Sequence, residues 1–371
     1  MYRYYPALAP ALFIPEKIYQ WGVFLRNRAF DEGFLSVRSL RRPVVSVGNL
    51  TLGGTGKTPF VIFLAGLLNE IGYETAILTR GYGRIQPGKT IILPPENKNY
   101  LSALRLGDEP ALIRRHLPEA WLGVSSDRFR AAGAIDRHKE RADQMVFILD
   151  DGFQRRDIRR DLDVVMIDPT QPPDSERLFP AGALREPVAE LRRARVIVIN
   201  KKESTNNGKP RNASFEAIVE NLRKYAPEAD YFQCTQRIRD ITPFPDWLND
   251  QTPQKIHARP GAAFLIAAIG NPDRFTQDVQ GIGIEIRGCV FFRDHAVIGK
   301  KDWEKCVAAA RKAKAEAIIV TEKDAVKISS PPDFPLLVAV QSINLDEISR
   351  FREILQMACE SRSRNLPATG I

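Results

Sequence analysis

The sequence predicts an α/β fold, in which a mainly parallel sheet carries helices on both faces and a smaller α/β domain follows toward the C-terminus. Three observations support this prediction. From residue 43 onward, uninterrupted apolar runs alternate with helical stretches, and such runs are typical of strands buried on both faces. A glycine-rich loop lies between the first apolar run and a helix. After Tyr225 a second, shorter alternation of strands and helices begins.

The first 42 residues form a separate N-terminal segment. They are rich in aromatic rings and carry seven basic side chains against three acidic ones, a net charge of +4. Pro15 can start a helix that runs to about Ala29, along which Ile18, Trp21 and Leu25 recur at helical spacing. Such a helix suits a membrane interface, where rings lie at headgroup level and cations meet lipid phosphates. The equal alternative is a helix that packs on the core or on its twin in a dimer.

Residues 43–228 form the larger predicted domain, and residues 229–371 form the smaller one. The candidate strands of the larger domain are Val44–Val47, Thr75–Thr79, Trp121–Val124, Val146–Leu149, Val164–Ile167 and Val196–Ile199. The polar segment Lys201–Pro210 predicts a surface loop. The candidate strands of the smaller domain are Tyr231–Gln233, Ala262–Ala267, Ile284–Phe292, Ile318–Thr321 and Leu336–Val340, and its candidate helices are Lys301–Ala313 and Leu345–Met357. Ligands of such folds bind at the carboxyl ends of the strands.

The loop after the first strand carries the clearest functional signal. Its residues are Thr51, Leu52, Gly53, Gly54, Thr55, Gly56, Lys57 and Thr58. Small residues let backbone N–H groups turn onto a polyphosphate, and the following helix N-terminus adds partial positive charge. Lys57 can reach the outer phosphates, and the Thr58 hydroxyl can bind Mg²⁺. Although Thr51 stands where the standard pattern has Gly, the context predicts a P-loop NTPase-like domain; the alternative is an ordinary glycine-rich turn.

Three acids and a histidine are candidates for the chemistry. Asp150 and Asp151 end a buried strand, where a phosphate-loop enzyme usually keeps an acid for Mg²⁺. Asp108 opens a helix, so it either caps that helix or accepts a proton from an attacking hydroxyl, and the local sequence favours the cap. His295 follows a strand of the smaller domain. It is either structural or, if that domain folds over the loop, the partner of an acid in the larger domain.

Three more loops follow strands and would meet in the same cleft. They contain Arg80 with Tyr82, then Arg128, and more distantly Arg185 with Glu186. Arginine side chains suit phosphate oxygens. Each loop is a weak signal alone, and their convergence is what this fold class predicts.

The composition indicates which partners the protein favours and argues against several kinds of site. The net charge of +9 favours anionic partners such as a nucleotide, nucleic acid or anionic lipid. Four scattered cysteines and only four histidines argue against a disulfide framework, a zinc site and a histidine-rich metal site. The sequence has no apolar run of 18 residues and no signal-peptide pattern, so we expect the protein to stay in the cytoplasm without a membrane span.

Together these motifs resemble those of the tetraacyldisaccharide 4′-kinase family of lipid A biosynthesis, and the resemblance covers most of the chain. The matching stretches are Val47–Leu50 with the loop that follows, Thr79–Arg84, Gly107–Pro110, Leu149–Gln154, Leu184–Pro187, Gly270–Phe275, Arg293–His295 and Thr321–Lys327. One position departs from the family pattern, because Arg155 stands where His is expected.

The resemblance implies a kinase that transfers the γ-phosphoryl group of ATP to the 4′-hydroxyl of tetraacyldisaccharide 1-phosphate, giving lipid IVA. It implies a lipid substrate, a peripheral position on the cytoplasmic face of the inner membrane, and two domains that close over the nucleotide. Nucleic acid is not an expected partner, and no obligate protein partner is evident. The N-terminal helix then becomes a membrane-contacting segment, because acyl chains do not leave a bilayer without a large free-energy cost.

The resemblance also implies roles for individual residues. Asp108 would be the base, His295 its partner, and Lys57 the cation that neutralises phosphate charge. The residues expected to hold Mg²⁺ are Thr58, Asp150, Asp151 and Glu186. The residues expected to contact the substrate or its phosphates are Arg80, Tyr82, Arg128 and Arg185.

Two alternatives remain open from sequence. A membrane-associated switch ATPase of the partitioning type shares the glycine–lysine core, but it needs a second lysine before the first glycine, where this chain has Leu52. A nucleic-acid-dependent ATPase is suggested only by the net charge, and no aromatic-rich RNA motif or helix-turn-helix signal supports it. ATP turnover measured with the lipid precursor, with DNA and with neither would separate these classes.

Overall fold

The computed structural model describes residues 9–95, 103–138, 144–170, 172–201, 214–249 and 259–364 of the 371-residue chain. Within these residues, 12 strands form one continuous sheet. The strands are β1 (Val44–Gly48), β2 (Glu74–Thr79), β3 (Ile91–Leu93), β4 (Trp121–Val124), β5 (Met145–Asp150), β6 (Leu162–Ile167), β7 (Val196–Lys201), β8 (Asp230–Pro243), β9 (Ala262–Ala267), β10 (Glu285–Phe291), β11 (Ala317–Thr321) and β12 (Leu336–Leu345). The helices are α1 (Ala9–Asp31), α2 (Lys57–Glu70), α3 (Ala103–Leu106), α4 (Asp108–His116), α5 (Arg128–His138), α6 (Phe215–Arg223), α7 (Phe244–Leu248), α8 (Pro272–Gly281), α9 (Lys300–Lys312), α10 (Glu322–Ala325) and α11 (Ile348–Arg364).

The sheet is mainly parallel, and the predicted fold class is confirmed. Its strand order is β10–β9–β11–β12–β8–β7–β6–β1–β5–β2–β4–β3. Among the paired strands, β3 with β4 and β8 with β12 run antiparallel. Strand β8 also pairs with β7 in parallel, so it joins β1–β7, which we call the first half, to β9–β12, the second half.

Both faces of the sheet are covered by helices, as the uninterrupted apolar runs predict. Successive residues of a strand point to opposite faces, and the side chains of β5 therefore enter two different cores. Val146 and Ile148 pack with the apolar face of α2, whereas Phe147 and Leu149 pack with α5. The second half repeats this arrangement in β9, whose alternate residues enter two further cores.

Helix α11 returns from the second half to the first. Its Phe351 is buried against Phe60 of α2, with ring centroids 6.0 Å apart, and against Phe232 of β8. The predicted helix over Leu345–Met357 begins three residues later than expected, at Ile348. Leu345 instead ends β12, where it pairs with Cys234, because backbone pairing with the long strand β8 extends β12 beyond its apolar stretch.

The predicted boundary after residue 228 falls just before β8, and the division of the chain into three segments stays a prediction. The segment Lys201–Pro210 lies, apart from Lys201, outside the described residues.

Helix α1 is longer than the sequence predicts. It begins at Ala9 and contains Pro15, which was expected to start it. A proline near the start of a helix removes only one backbone hydrogen bond. The helix therefore extends back from Pro15 through the preceding residues to Ala9. The side that faces the protein is buried at Glu16, Val23 and Asn27.

The outward side of α1 is apolar. Its exposed large side chains are Phe13, Ile14, Ile18, Trp21, Phe24 and Leu25, and Phe34, Leu35 and Val37 follow the helix. On most helices the buried face is apolar and the exposed face is polar. On α1 this distribution is reversed, because large apolar side chains are exposed while Glu16 and Asn27 are buried. In the described part of the chain, no helix is long and apolar enough to cross a membrane.

Candidate active site

The glycine-rich loop lies between β1 and α2, at the carboxyl edge of the sheet. Its backbone is held by the segment before Glu186, because Leu52 N–H donates to Ala183 O at 2.7 Å and Arg185 N–H donates to Leu50 O at 2.7 Å. Gly56 has φ +90°, and a Cβ there would lie 2.6 Å from the Asn200 amide, so this position requires glycine. Added Cβ atoms at Gly53 and Gly54 would meet open space, so the loop faces a clear volume.

Lys57 begins α2 and lies at the centre of a charged cluster. Its Nζ donates to Asn49 Oδ1 at 3.1 Å and lies 3.5 Å from Asp151 Oδ1. Arg185 approaches the same carboxylate, with Nη1 2.8 and 2.9 Å from its two oxygens. The structure thus brings together three residues that the sequence placed in separate motifs.

Asp150 and Asp151 lie in different electrostatic surroundings. Burial, with the nearby charges of Glu109 and Asp151, raises the pKa of Asp150 to about 7. Its carboxylate accepts a hydrogen bond from Thr79 Oγ1 at 2.8 Å. Burial alone would raise the pKa of Asp151 too, but Lys57 and Arg185 outweigh it, and that pKa is well below its usual value. The two acids therefore differ in their surroundings, and that they also differ in function stays a prediction.

Asp108 and His295 meet across the two halves, 187 residues apart in sequence. Asp108 Oδ2 lies 2.8 Å from His295 Nδ1, and the Asp108 side chain is buried. Asp108 is not the N-cap of α4, because Gly107 precedes the helix and Asp108 is its first residue, although Asp108 Oδ1 accepts a hydrogen bond from Glu109 N–H at 3.1 Å. Its other oxygen, Oδ2, faces the long-range partner His295, which local sequence could not reveal.

The ionisation of this pair favours a charged carboxylate. The hydrogen bond to Asp108 raises the pKa of His295, although burial and the charge of Lys323 act in the opposite direction. Burial acts to raise the pKa of Asp108, but His295 and Lys323 outweigh it, so that pKa is lowered. Asp108 is therefore ionised at neutral pH and able to accept a proton.

The remaining predicted contact residues line the same edge of the sheet. Tyr82 is exposed, and its ring lies 5.3 Å from the His295 ring between centroids. Arg80 is exposed, whereas Arg128 is buried, and burial lowers its pKa to about 10, with the charges of Asp150 and Asp151 opposing that change. The loop that carries Tyr82 packs against the turn before α4: a Cβ on Gly107 would lie 2.7 Å from Tyr82 O.

Glu186 occupies a different environment from the one predicted. It is fully buried, and its two oxygens accept from Arg26 of α1 and Arg193, each at 2.6 Å. Asn27 and Gln154 complete its hydrogen bonds at 3.2 and 3.4 Å. A carboxylate with both oxygens held by cations has no lone pair directed at a metal, and this geometry argues against Glu186 as a ligand.

The donors that remain fit a magnesium ion beside a bound polyphosphate. Thr58, Asp150 and Asp151 supply only oxygen atoms, which Mg²⁺ prefers, and one or two carboxylates suffice when phosphates and waters complete the shell. No group of three or more His, Cys, Asp or Glu side chains able to hold a metal occurs among the described residues. In the loop itself, the buried Thr55 hydroxyl has no hydrogen-bond partner in the described ranges. This orphaned atom fits a loop built to receive a ligand.

Several residues at the site were missed in the sequence. Asn49 holds Lys57, Thr79 holds Asp150, and Asn200 Nδ2 donates to Thr55 O at 3.1 Å. Asn49 follows β1, Thr79 ends β2 and Asn200 is the last but one residue of β7, and a position at the carboxyl end of a strand is the signal that could have found them. Lys323 belongs to Thr321–Lys327, one of the stretches that resemble the family, and its Nζ is 3.4 Å from His295 Nε2.

Comparisons with known proteins show which family the chain is similar to. The family model described as Tetraacyldisaccharide-1-P 4′-kinase matches residues 8–360. The tetraacyldisaccharide 4′-kinase of Geobacter metallireducens is 36% identical over 322 residues, which cover 87% of this chain and 88% of that protein. That of Syntrophus aciditrophicus is 34% identical over 334 residues, covering 88% and 86%. The crystal structure of LpxK from Aquifex aeolicus, in complex with ATP, matches with a TM-score of 0.69 at 27% identity, covering 95% of this chain and 99% of that one.

Proposed function

The chain belongs to the tetraacyldisaccharide-1-P 4′-kinase family, and from that premise we propose how its residues carry out the transfer. The reaction moves the γ-phosphoryl group of ATP to the 4′-hydroxyl of a tetraacyldisaccharide 1-phosphate. The observation that carries the proposal is the Asp108–His295 pair, formed across the two halves at the edge that holds the phosphate loop.

Asp108 accepts the proton of the 4′-hydroxyl as that oxygen attacks. A bond forms between the sugar oxygen and the γ-phosphorus, and the bond from that phosphorus to the β,γ-bridging oxygen breaks, so that ADP leaves. The His295 hydrogen bond keeps the buried carboxylate oriented and ionised before the transfer. Because phosphoryl transfer depends mainly on positioning and on charge stabilisation, a single well-placed base suffices.

Lys57 stabilises the charge that develops on the β- and γ-phosphates. Its Nζ contacts Asp151, whose carboxylate also pairs with Arg185. The chain offers Thr58, Asp150 and Asp151 as oxygen ligands for Mg²⁺, which when bound would neutralise phosphate charge. Asp150 is buried beside other acids, so a neighbouring cation would stabilise its ionised form the most. Arg80, Tyr82 and Arg128 lie along the same edge and would contact the substrate and its phosphates.

Helix α1 gives the enzyme its contact with the inner membrane on the cytoplasmic face. Its outward side exposes Ile18 by 69%, Trp21 by 62% and Leu25 by 58%, and its inward side is fastened to the core. Apolar and aromatic residues on an exposed helix face bury into the headgroup–acyl boundary of a bilayer. The acyl chains of the substrate could then stay in lipid while the sugar reaches Asp108.

The direct test uses purified protein, radiolabelled ATP and tetraacyldisaccharide 1-phosphate in mixed micelles. We expect label on the disaccharide, and neither DNA nor lipid-free buffer should support comparable ATP turnover. Lys57→Ala should abolish transfer without unfolding the protein. Asp108→Ala should lower kcat by about 10²- to 10⁴-fold while leaving ATP affinity near that of the wild type. Full activity of either variant would remove that residue from the proposal, and ATP hydrolysis without labelled lipid would favour the switch-ATPase alternative.

A further inference from the structure

The stretch Thr321–Lys327 carries part of the family resemblance, yet the proposed transfer gives it no role. It begins at the last residue of β11 and contains α10, and it contacts His295 and the residue after it. Thr321 caps the helix, because its hydroxyl accepts from Asp324 N–H at 3.2 Å. The most buried group here is Asp324, whose Oδ2 accepts from Ala268 N–H at 3.1 Å and whose Oδ1 pairs with Lys327 at 2.8 Å.

This stretch supports an unusual backbone conformation at His295. The histidine has φ +63°, in the left-handed region that residues other than glycine seldom adopt. Its N–H donates to Ala268 O at 3.2 Å, and Lys327 donates to the carbonyl of the next residue, Ala296, at 3.0 Å. Asp324 thus binds the strand end that holds His295, and Lys327 binds the loop itself. The residues of this stretch fix where the imidazole can lie.

Lys323 acts on the ring directly. Its ammonium Nζ lies 3.4 Å from His295 Nε2, 3.4 Å from Asp294 Oδ1 and 3.5 Å from Glu109 Oε1. Its side chain is only 22% exposed. A lysine ammonium has three donors and no acceptor, so Nε2 must offer its lone pair to this contact. The proton of the neutral ring then lies on Nδ1, where it faces Asp108 Oδ2 at 2.8 Å.

Among the charged neighbours of the ring in the described ranges, Asp108 faces Nδ1 as an acceptor and Lys323 faces Nε2 as a donor, so both favour this arrangement. Asp108 and Glu109 approach from α4, Asp294 from the histidine's own loop, Lys323 and Lys327 from α10 and the residues after it, and the Tyr82 ring from the loop after β2. Asp294 Oδ2 is 3.9 Å from Nε2, too far to accept a hydrogen bond from it, and Lys323 holds the other oxygen of that carboxylate.

We propose that Lys323 is a positioning residue for the Asp108–His295 pair: by donating to Nε2 it holds the imidazole as the tautomer whose Nδ1–H faces Asp108. This inference rests on the proposed role of Asp108 as the base. In the other tautomer, Nδ1 would direct a lone pair at the carboxylate, and Asp108 would lose the donor that orients it. The positive charge of Lys323 also disfavours a second proton on the ring. Such a proton would lie on Nε2 and would end the hydrogen bond from Lys323.

The first experiment measures the tautomer in the full-length wild-type protein. The chain has four histidines, so two-bond ¹H–¹⁵N spectra of histidine-labelled protein give few signals, and the His295→Gln spectrum identifies the one of interest. On the alkaline side of its titration, we expect His295 to carry hydrogen on Nδ1 and none on Nε2. A ring protonated at Nε2 would overturn the proposal without any activity measurement.

The second experiment compares Lys323→Met, Lys323→Arg and a control, Lys312→Met, whose lysine is exposed on α9. For Lys323→Met we expect kcat at neutral pH to fall by about 10-fold or more, KM for ATP to stay unchanged, and the acidic limb of the kcat–pH profile to move to higher pH. Lys323→Arg keeps the charge, so its acidic limb should stay in place, and Lys312→Met should match the wild type. An acidic limb that does not move in Lys323→Met refutes the assignment.

The two proposals fail in different ways. If Asp108→Ala keeps full activity, the base assignment is wrong, while the tautomer of His295 can still be read from the spectra. If Lys323→Met does not fold, as judged by circular dichroism, the wild-type spectrum and the Lys323→Arg pH profile decide: the Nε2–H tautomer, or an acidic limb displaced despite the retained charge, counts against Lys323.

Discussion

Replacing Ile18 and Trp21 by serine tests whether the outward side of α1 binds membranes. Both side chains are about two-thirds exposed, and neither donates or accepts a side-chain hydrogen bond in the described structure that the substitution would break. Full burial of a large apolar side chain contributes about 1.5–3 kcal/mol, so moving the exposed part into lipid contributes about 1–2 kcal/mol for each residue. The pair should therefore weaken vesicle binding by about 2–4 kcal/mol, a factor of roughly 30 to 1000.

The assay is co-sedimentation of the purified protein with anionic phospholipid vesicles over a range of lipid concentrations. Met357→Ser is the matched control, because Met357 is 60% exposed on a different helix, α11. The control should bind like the wild type, and the double variant should retain its turnover on detergent-dispersed substrate while losing it on vesicle-borne substrate. Vesicle binding of the double variant equal to that of the control would refute a membrane role for this face.

Deleting the helix would be a poorer test, because its inward side is part of the fold. Tyr19 donates to Arg185 O at 2.8 Å, and Arg26 pairs with the fully buried Glu186. Removing one partner of a buried ion pair costs about 3–5 kcal/mol. A truncated protein could lose activity through unfolding alone, whereas serine on the outward side leaves these contacts in place.

Three further predictions concern the core of the site and its supports. Asp108→Ala and His295→Ala should act as a unit, so the double variant should be about as slow as the slower single variant, and additive effects on kcat would separate their roles. Burial acts to raise the pKa of Glu322, but hydrogen bonds from His116 and nearby donors outweigh it and lower that pKa below 4.5. Glu322→Gln should therefore lower the free energy of unfolding above pH 4.5, and urea titrations should show the deficit shrinking as the pH falls below that value; a deficit independent of pH contradicts the pairing. Glu186→Gln should destabilise the protein by about 3 kcal/mol while leaving the Mg²⁺ dependence of kcat unchanged, and a raised Mg²⁺ requirement would return Glu186 to the metal site.

Much of the fold could be predicted because its signals are local. Buried parallel strands are continuous apolar runs, and every strand predicted in the larger domain is present at nearly the expected bounds. The phosphate loop is equally local, since its glycines, Lys57 and Thr58 lie within one turn between a strand and a helix. The charged cluster of Lys57, Asp151 and Arg185 follows from fold class, because parallel strands bring their carboxyl ends to one edge.

The rest could not be predicted because it depends on contacts between distant parts of the chain. Local pattern favoured a capping role for Asp108, and only the family resemblance suggested His295 as its partner. The family resemblance implied that Glu186 binds metal, but the arginines that hold it come from α1 and from seven residues downstream. The orientation of α1 could not be predicted for another reason. The spacing of its apolar residues indicates that they share one face of the helix, but whether that face is buried or exposed depends on polar partners elsewhere in the chain.

Strand β8 has a consequence for how this chain can be divided. Its 14 residues pair with β7 on one side and β12 on the other. A fragment ending before Asp230 would leave the apolar strand β7 as an open edge, with unpaired backbone groups that invite aggregation. Helix α11 would also be missing from the surface of α2, where it covers Phe60. We therefore expect that the first half does not fold as an independent module, and that the whole chain melts cooperatively in a single calorimetric transition.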